Sequence, residues 1–415
     1  MKSLIYIYTA TTFILIIIIY INMTYNYNQI IVSNDLFFED THIDYKRDIL
    51  NNKWDQWRSP IKYFVESSIT SVNVEIAIKE IMNKTCIKFE KIEKSTNQTQ
   101  ELYFQKSDKC LSKIGHWKKN HTQFIELNSN CYKSPYVILH EIGHALGLVH
   151  EHARTDRDEY IQINTGNMES NQLFNLKILN DSVYINYSTS YDYAALMHYD
   201  QYEFSTFWSY LFGWPVMESK LEREYSWMMG QREKMTFNEY KQINLCYCNW
   251  CNWVNNDTGL QIEKDETKQL CKNGGYPNFN NCSRCLCPTG YTGDFCDSII
   301  ESDTECGKTK FDVNSSQVPI ILNGQMNCYF YLKAEASKKV QLIITYVNAP
   351  YSGHICTEKT GYQVKYRKDK GATGLLLCGH HWRHINLKSE SNDILIFYRG
   401  ETGHSFMHFI FHQYD

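Results

Sequence analysis

The stretch His140-Glu141-Ile142-Gly143-His144-Ala145-Leu146-Gly147-Leu148-Val149-His150 decides how this chain is read. On a helix, side chains four residues apart share one face a turn apart. His140 and His144 can therefore aim ring nitrogens at one cation, while Glu141, one step round, comes beside it without binding. Upstream, Ser134-Pro135 supplies a cap and a first-turn proline, so the helix is expected to run from Tyr136 to Leu146. Gly147 can end it in a left-handed turn, which lets His150 swing in as a third ligand. Three neutral imidazoles leave one coordination position open, as catalytic zinc sites do and structural ones do not. Zinc brings the pKa of its water down to ~7, and Glu141 stands where a general base must take the proton. The expected chemistry is hydrolysis at a carbonyl.

The continuation His150-Glu151-His152-Ala153-Arg154-Thr155-Asp156-Arg157-Asp158 and the later segment Tyr191-Asp192-Tyr193-Ala194-Ala195-Leu196-Met197-His198-Tyr199 resemble the astacin family of zinc metalloendopeptidases, a branch of the metzincins. Leu148 and Ala195 depart from that family's usual Phe and Ser; neither removes a ligand or the base. The resemblance implies an α+β fold with a two-lobed, metzincin/astacin-type catalytic domain and one Zn2+ on His140, His144 and His150. It implies Glu141 as catalytic base and then acid, Met197 in a turn beneath the metal, and Tyr199 as a second catalytic residue that can ligate zinc and stabilise the transition state. A phenol suits both tasks, since it can bind a metal or donate to a developing oxyanion. Gly230-Gln231-Arg232 and Gln242-Ile243-Asn244 are similar to the closing part of such a domain.

The chain has 415 residues, Lys+Arg 42 against Asp+Glu 46, and a net charge of −4. That balance excludes a general nucleic-acid binder, which needs a basic excess. Lys2 followed by the apolar run Leu4–Ile21 reads as a secretory signal, although its length also suits an uncleaved anchor. Nine N-x-S/T sites, Asn22, Asn83, Asn97, Asn120, Asn180, Asn186, Asn256, Asn281 and Asn314, agree with export and glycosylation. Of the 15 cysteines only Cys86, Cys110 and Cys131 precede residue 240. The rest crowd the last third, the pattern of small disulfide-stapled modules behind a larger domain. Strands are expected at Ile61–Val65 and Phe124–Leu127, and a helix over Val72–Met82, where alternation at Val74, Ile76 and Ile78 offers a strand as rival. Beyond Cys306 the runs Val340–Ile344, Gly361–Tyr366, Asp393–Tyr398 and Ser405–Phe411 predict an all-β tail.

The family resemblance extends to both ends. Phe37-Phe38-Glu39-Asp40 is similar to the astacin pro-segment F-x-G-D, which makes Asp40 the zymogen zinc ligand, with Glu39 where glycine is usual. Cleavage after Lys46-Arg47 would leave Asp48 as a new terminus, and the resemblance makes Glu151 its partner. Residues 271–296, with Cys285-Leu286-Cys287 and Gly290-Tyr291-Thr292-Gly293-Asp294-Phe295-Cys296, resemble an EGF-like module, and Cys306, Cys328, Cys356 and Cys378 resemble the frame of a CUB domain. No acidic pair precedes Cys251, so no calcium is expected there. The implied bridges are Cys110–Cys131, Cys86 with Cys246 or Cys248, Cys251–Cys282, Cys271–Cys285, Cys287–Cys296, Cys306–Cys328 and Cys356–Cys378, with the odd thiol left free.

The implied layout is 1–21 signal peptide or anchor, 22–47 pro-segment, 48–249 catalytic, 250–297 EGF-like and 306–415 CUB-like. The order matches nematode-type astacins. It implies a secreted, extracellular protein acting on protein or peptide substrates such as matrix or pro-proteins, with no stable membrane partner unless the N-terminal segment is retained. A second reading keeps the tail as a binding module and the protease domain latent; an intact Glu141 speaks for the enzyme.

Overall fold

The structure is a computed structural model that describes residues 49–50, 56–95, 100–116, 121–179, 184–262, 271–351, 353 and 355–414. Asp40, the Lys46-Arg47 pair, Asp48 and the Leu4–Ile21 run lie outside the described residues. Three units follow one another along the chain.

The first opens with a five-stranded sheet in the order Phe89–Lys91, Ile61–Val65, Glu101–Lys106, Gln123–Leu127, Leu111–Ser112. All neighbours are parallel except the last, which is antiparallel. The helices Ser71–Lys84 and Pro135–Ala145 pack with the sheet around one core of Val74, Ile81, Leu102, Phe104, Ile138 and Ile142. The stretch 72–82 settles as helix because Val74, Ala77, Ile78 and Ile81 fall on one buried stripe while Val72 and Ile76 stay exposed. Ser134 caps the second helix, accepting from the Val137 backbone N–H at 3.4 Å. Gly147 then takes φ 104°, a left-handed turn that a side chain resists. Below this layer, residues 149–236 contain only short 3-10 turns, short helices and two-residue or three-residue strands.

The last helix, Phe237–Tyr247, returns beside the first and is started by a reciprocal Thr236–Glu239 capping box. Cys248, at its C-terminal cap, is bonded to Cys86, 162 residues earlier, and Cys110 to Cys131. Cys246 keeps a free thiol, held near the Leu50 carbonyl and the Gln56 amide. Burial pushes that thiol up to about 12, so it stays protonated and unreactive.

The second unit is small and disulfide-rich, with Cys251–Cys282, Cys271–Cys285 and Cys287–Cys296 and two short hairpins. The third is a sandwich of two five-stranded sheets, one ordered 310–312, 327–333, 393–399, 362–365, 375–377. The other contains 318–323, 406–414, 339–348 and the two strands 380–381 and 385–388 paired to 339–348. Cys306–Cys328 and Cys356–Cys378 staple it. Its apolar interior is continuous with that of the irregular lower half: Met217, Tyr225, Met228 and Met229 share a core with Leu375, Leu376, Leu377 and Tyr366. A lobe without a sheet of its own thus borrows one to bury its apolar side chains.

Charges also cross this junction. Burial alone would raise the Glu358 carboxyl, but Lys234 and Lys365 outweigh it and hold the group down at about 2. A carboxyl depressed in the folded state lends stability above its unfolded pKa and loses it as pH falls towards the folded value. Glu358→Gln should therefore lower stability at pH 7, by about 1 kcal/mol because Lys234 is half exposed. Urea unfolding midpoints at pH 7 and pH 3 should show that deficit shrink by more than half at the lower pH; a deficit constant across pH would contradict the assignment.

Candidate metal centre and active site

The helix Pro135–Ala145 places His140 and His144 on its buried face, and the turn at Gly147 brings His150 beneath them. His140 Nδ1 lies 3.0 Å from the Leu196 carbonyl and His144 Nδ1 lies 2.8 Å from the Leu148 carbonyl. A carbonyl only accepts, so each Nδ1 carries the proton and each Nε2 presents a bare lone pair. Those lone pairs converge: His150 Nε2 is 3.2 Å from His144 Nε2 and 3.4 Å from His140 Nε2. Tetrahedral ligation at ~2.0–2.1 Å sets neighbouring nitrogens about 3.3–3.4 Å apart. Three mutually facing acceptors at that spacing repel one another unless a cation sits between them. Among the described residues, this trio is the cluster able to hold a metal.

Glu141 follows His140 on the helix and is buried. Gly143 is glycine for a packing reason: a Cβ there would meet Met197 Sδ at 3.1 Å and Leu148 Cδ1 at 3.4 Å. Met197 thus lies directly against the ligand helix, and its carbonyl accepts from the Glu151 N–H at 3.0 Å. Tyr199 is fully buried, its ring 4.3 Å from that of His150 and 4.2 Å from that of His152, centroid to centroid. Glu151 Oε1 accepts from the Asp192 N–H at 2.8 Å and from Arg154 Nη1 at 3.3 Å. Burial holds His198 down to about 4, so it is neutral; its Nδ1 faces the Tyr199 carbonyl at 2.7 Å and its Nε2 takes the Tyr191 hydroxyl at 2.6 Å.

The turn carrying Met197 hangs from the last helix and the loop before it. Glu239 accepts the N–H groups of Leu196 at 3.0 Å and Met197 at 2.9 Å while closing its capping box with Thr236. Burial pushes its carboxyl up to about 7 against the pull of those donors. Donors alone converge on it, so the ionised form is the one this cradle holds. Arg232 Nη1 donates to the Leu196 and His198 carbonyls at 3.0 Å each, and Gln231 Nε2 to the Ala194 carbonyl at 2.7 Å. Glu239 escaped the sequence reading, although Thr236-Phe237-Asn238-Glu239 is a legible capping signature; nothing in it tells that the same carboxylate also holds a distant turn.

A ligand helix with its glycine turn, three converging imidazoles and a methionine turn packed beneath them define a metzincin-type domain. The family model described as Astacin, a peptidase family, matches residues 49–248, and that part of the chain belongs to the astacin family. The chain is 29% identical over 368 residues to zinc metalloproteinase nas-34 of Caenorhabditis elegans, covering 87% of this chain and 56% of that protein. It is 26% identical over 373 residues to zinc metalloproteinase dpy-31 of Haemonchus contortus, covering 85% and 63%. The chain thus spans somewhat over half the length of these relatives. The hatching-enzyme zinc protease HCE-1 of Oryzias latipes aligns over 47% of this chain and 94% of its own, with 27% identity and a TM-score of 0.41.

Glu239→Ala strands two buried backbone donors and should cost about 2–5 kcal/mol in denaturant unfolding. Because Leu196 in turn holds His140, zinc affinity measured by chelator competition should fall about 10-fold or more. Unchanged affinity would show that the turn keeps its place without Glu239.

Proposed function

We propose that the chain is a secreted zinc-dependent metalloendopeptidase, made as a zymogen, that hydrolyses peptide bonds of extracellular proteins. The convergence of His140, His144 and His150 Nε2, with Glu141 on the same helix, carries this reading. A bound zinc would supply Lewis-acid activation of water and of the scissile carbonyl. Glu141 takes the proton from the attacking water and then delivers it to the leaving amine. Tyr199, packed on His150, offers its phenol to the charge that develops on the carbonyl oxygen. Met197 and the carbonyls of Leu196 and Leu148 keep the ligand rings in place, so little reorganisation is left for the reaction itself.

Residues 250–297 are read as EGF-like, supported by the first-to-third, second-to-fourth and fifth-to-sixth cysteine pairing. Residues 306–415 are read as CUB-like, supported by the two-sheet sandwich with two bridges between successive cysteines. Export is supported by the apolar N-terminal run and by seven disulfides, which persist in oxidising compartments. Latency is read from Asp40 and release from cleavage after Arg47, with Glu151 receiving the new ammonium group of Asp48.

Glu141→Gln in chain processed to begin at Asp48 should keep one zinc per molecule yet cleave a peptide library about 10²–10⁴-fold more slowly. Matching cleavage by the two proteins would remove Glu141 as base. Glu151→Gln should leave the processed terminus more open to aminopeptidase digestion than in the parent; equal trimming of both forms would refute the ammonium–carboxylate switch.

A further inference from the structure

One loop of the C-terminal sandwich, residues 367–373 between the strands 362–365 and 375–377, grips three consecutive residues of the catalytic lobe. Asp369 Oδ2 accepts the Ser190 N–H at 2.9 Å. Arg367 Nη1 donates to the Tyr191 carbonyl at 2.7 Å. Thr373 donates both its N–H and its hydroxyl to Asp192 Oδ2, each at 3.0 Å.

Each of the last two gripped residues leads inward. Asp192 Oδ1 accepts the Ala194 N–H at 3.0 Å, and the Asp192 N–H binds Glu151, the neighbour of His150. The Tyr191 hydroxyl donates to His198, whose other nitrogen donates to the Tyr199 carbonyl. Arg367 also lies 5.0 Å over the Tyr160 ring, which stacks on Tyr191. The loop is itself stiff. Lys365 is buried inside it with Nζ on the Lys370 and Ala372 carbonyls at 2.7 and 3.0 Å, and the Gly371 N–H closes on Asp369 Oδ1 at 2.8 Å. Arg367 and Thr373 are buried together with Tyr191 and Asp192, so water offers these groups no ready alternative partners.

We propose that Arg367 and Thr373 of the sandwich are positioning residues for the active centre, acting through the Tyr191 carbonyl and the Asp192 carboxylate on the segment that bears Met197 and Tyr199. The C-terminal unit is then part of the enzyme's working core and not only a recognition module. The catalytic part of this inference rests on the peptidase reading above; the mechanical part does not.

The test uses the zinc-loaded, processed full chain and the double variant Arg367→Met/Thr373→Val, with Arg367→Lys and Thr373→Ser as conservative controls. Two readouts are taken: amide hydrogen exchange across the chain, and kcat and KM on a peptide too short to reach the sandwich. Exchange at 194–199 should rise about 10-fold or more in the double variant while the sheet amides at 101–106 keep their protection. kcat should fall about 10-fold or more with KM within about twofold, and the conservative controls should recover most of both. Unchanged exchange at 194–199, or a rise spread evenly over the whole chain, overturns the proposal, as does unaltered kcat in an active enzyme. If the parent chain cleaves no peptide, the peptidase reading falls, and exchange at 194–199 still upholds or overturns the clamp.

Discussion

Two histidines on a buried helix serve one cation only if their rings are turned so that both bare nitrogens face the same point. Here the turning is done from behind, by the carbonyls of Leu196 and Leu148, each taking one Nδ1 proton. An imidazole so held loses little freedom when a metal binds, and its free nitrogen becomes more basic. The fold can be understood as the means of keeping those two carbonyls still. Leu148 is fixed by the left-handed turn at Gly147, and Leu196 by a suspended turn that has no secondary structure of its own.

That suspension is the more demanding task. Leu196 and Met197 hang by their N–H groups from Glu239 and by a carbonyl from Arg232, while Met197 presses on the helix at Gly143. Glu151 ties the turn to the residue after His150. Each link is a charged or buried hydrogen bond, the kind that costs most to break because the abandoned partner is left dry. The lower lobe cannot supply a sheet to bury its tyrosines and methionines, and it leans on the sandwich for that. The proposed clamp at residues 190–192 sits where this shared core meets the polar links to the site.

Much of this was legible before any coordinates. The H-E-x-x-H spacing, the Ser134 cap and Gly147 describe one helix and its end, and each rests on local geometry that a sequence states directly. The β-rich tail was readable from its alternating runs for the same reason. Other features depend on partners far apart in the chain. Cys246 and Cys248 are two residues apart at the end of one helix, and only the way the helix stops, with Cys248 as its cap facing Cys86, separates the bridged one from the free one. The strand Glu101–Lys106 carries no clean alternation, because both of its faces are largely covered in the middle of the sheet. Glu239 reads locally as a helix cap, and its second role at Met197 exists only in three dimensions. The loop 367–373, with four charges in seven residues, reads as a solvated turn, yet Arg367, Lys370 and Thr373 are buried.

The central claim is that three imidazoles share one divalent ion and leave room beside it for solvent. X-ray absorption at the zinc edge on the processed full chain tests this most directly. A first shell of three nitrogens at ~2.0–2.1 Å with one or two further light-atom ligands is the predicted result. A sulfur scatterer at ~2.3 Å, or a spectrum unaltered when His144 is replaced by alanine, would place the metal elsewhere and contradict the account.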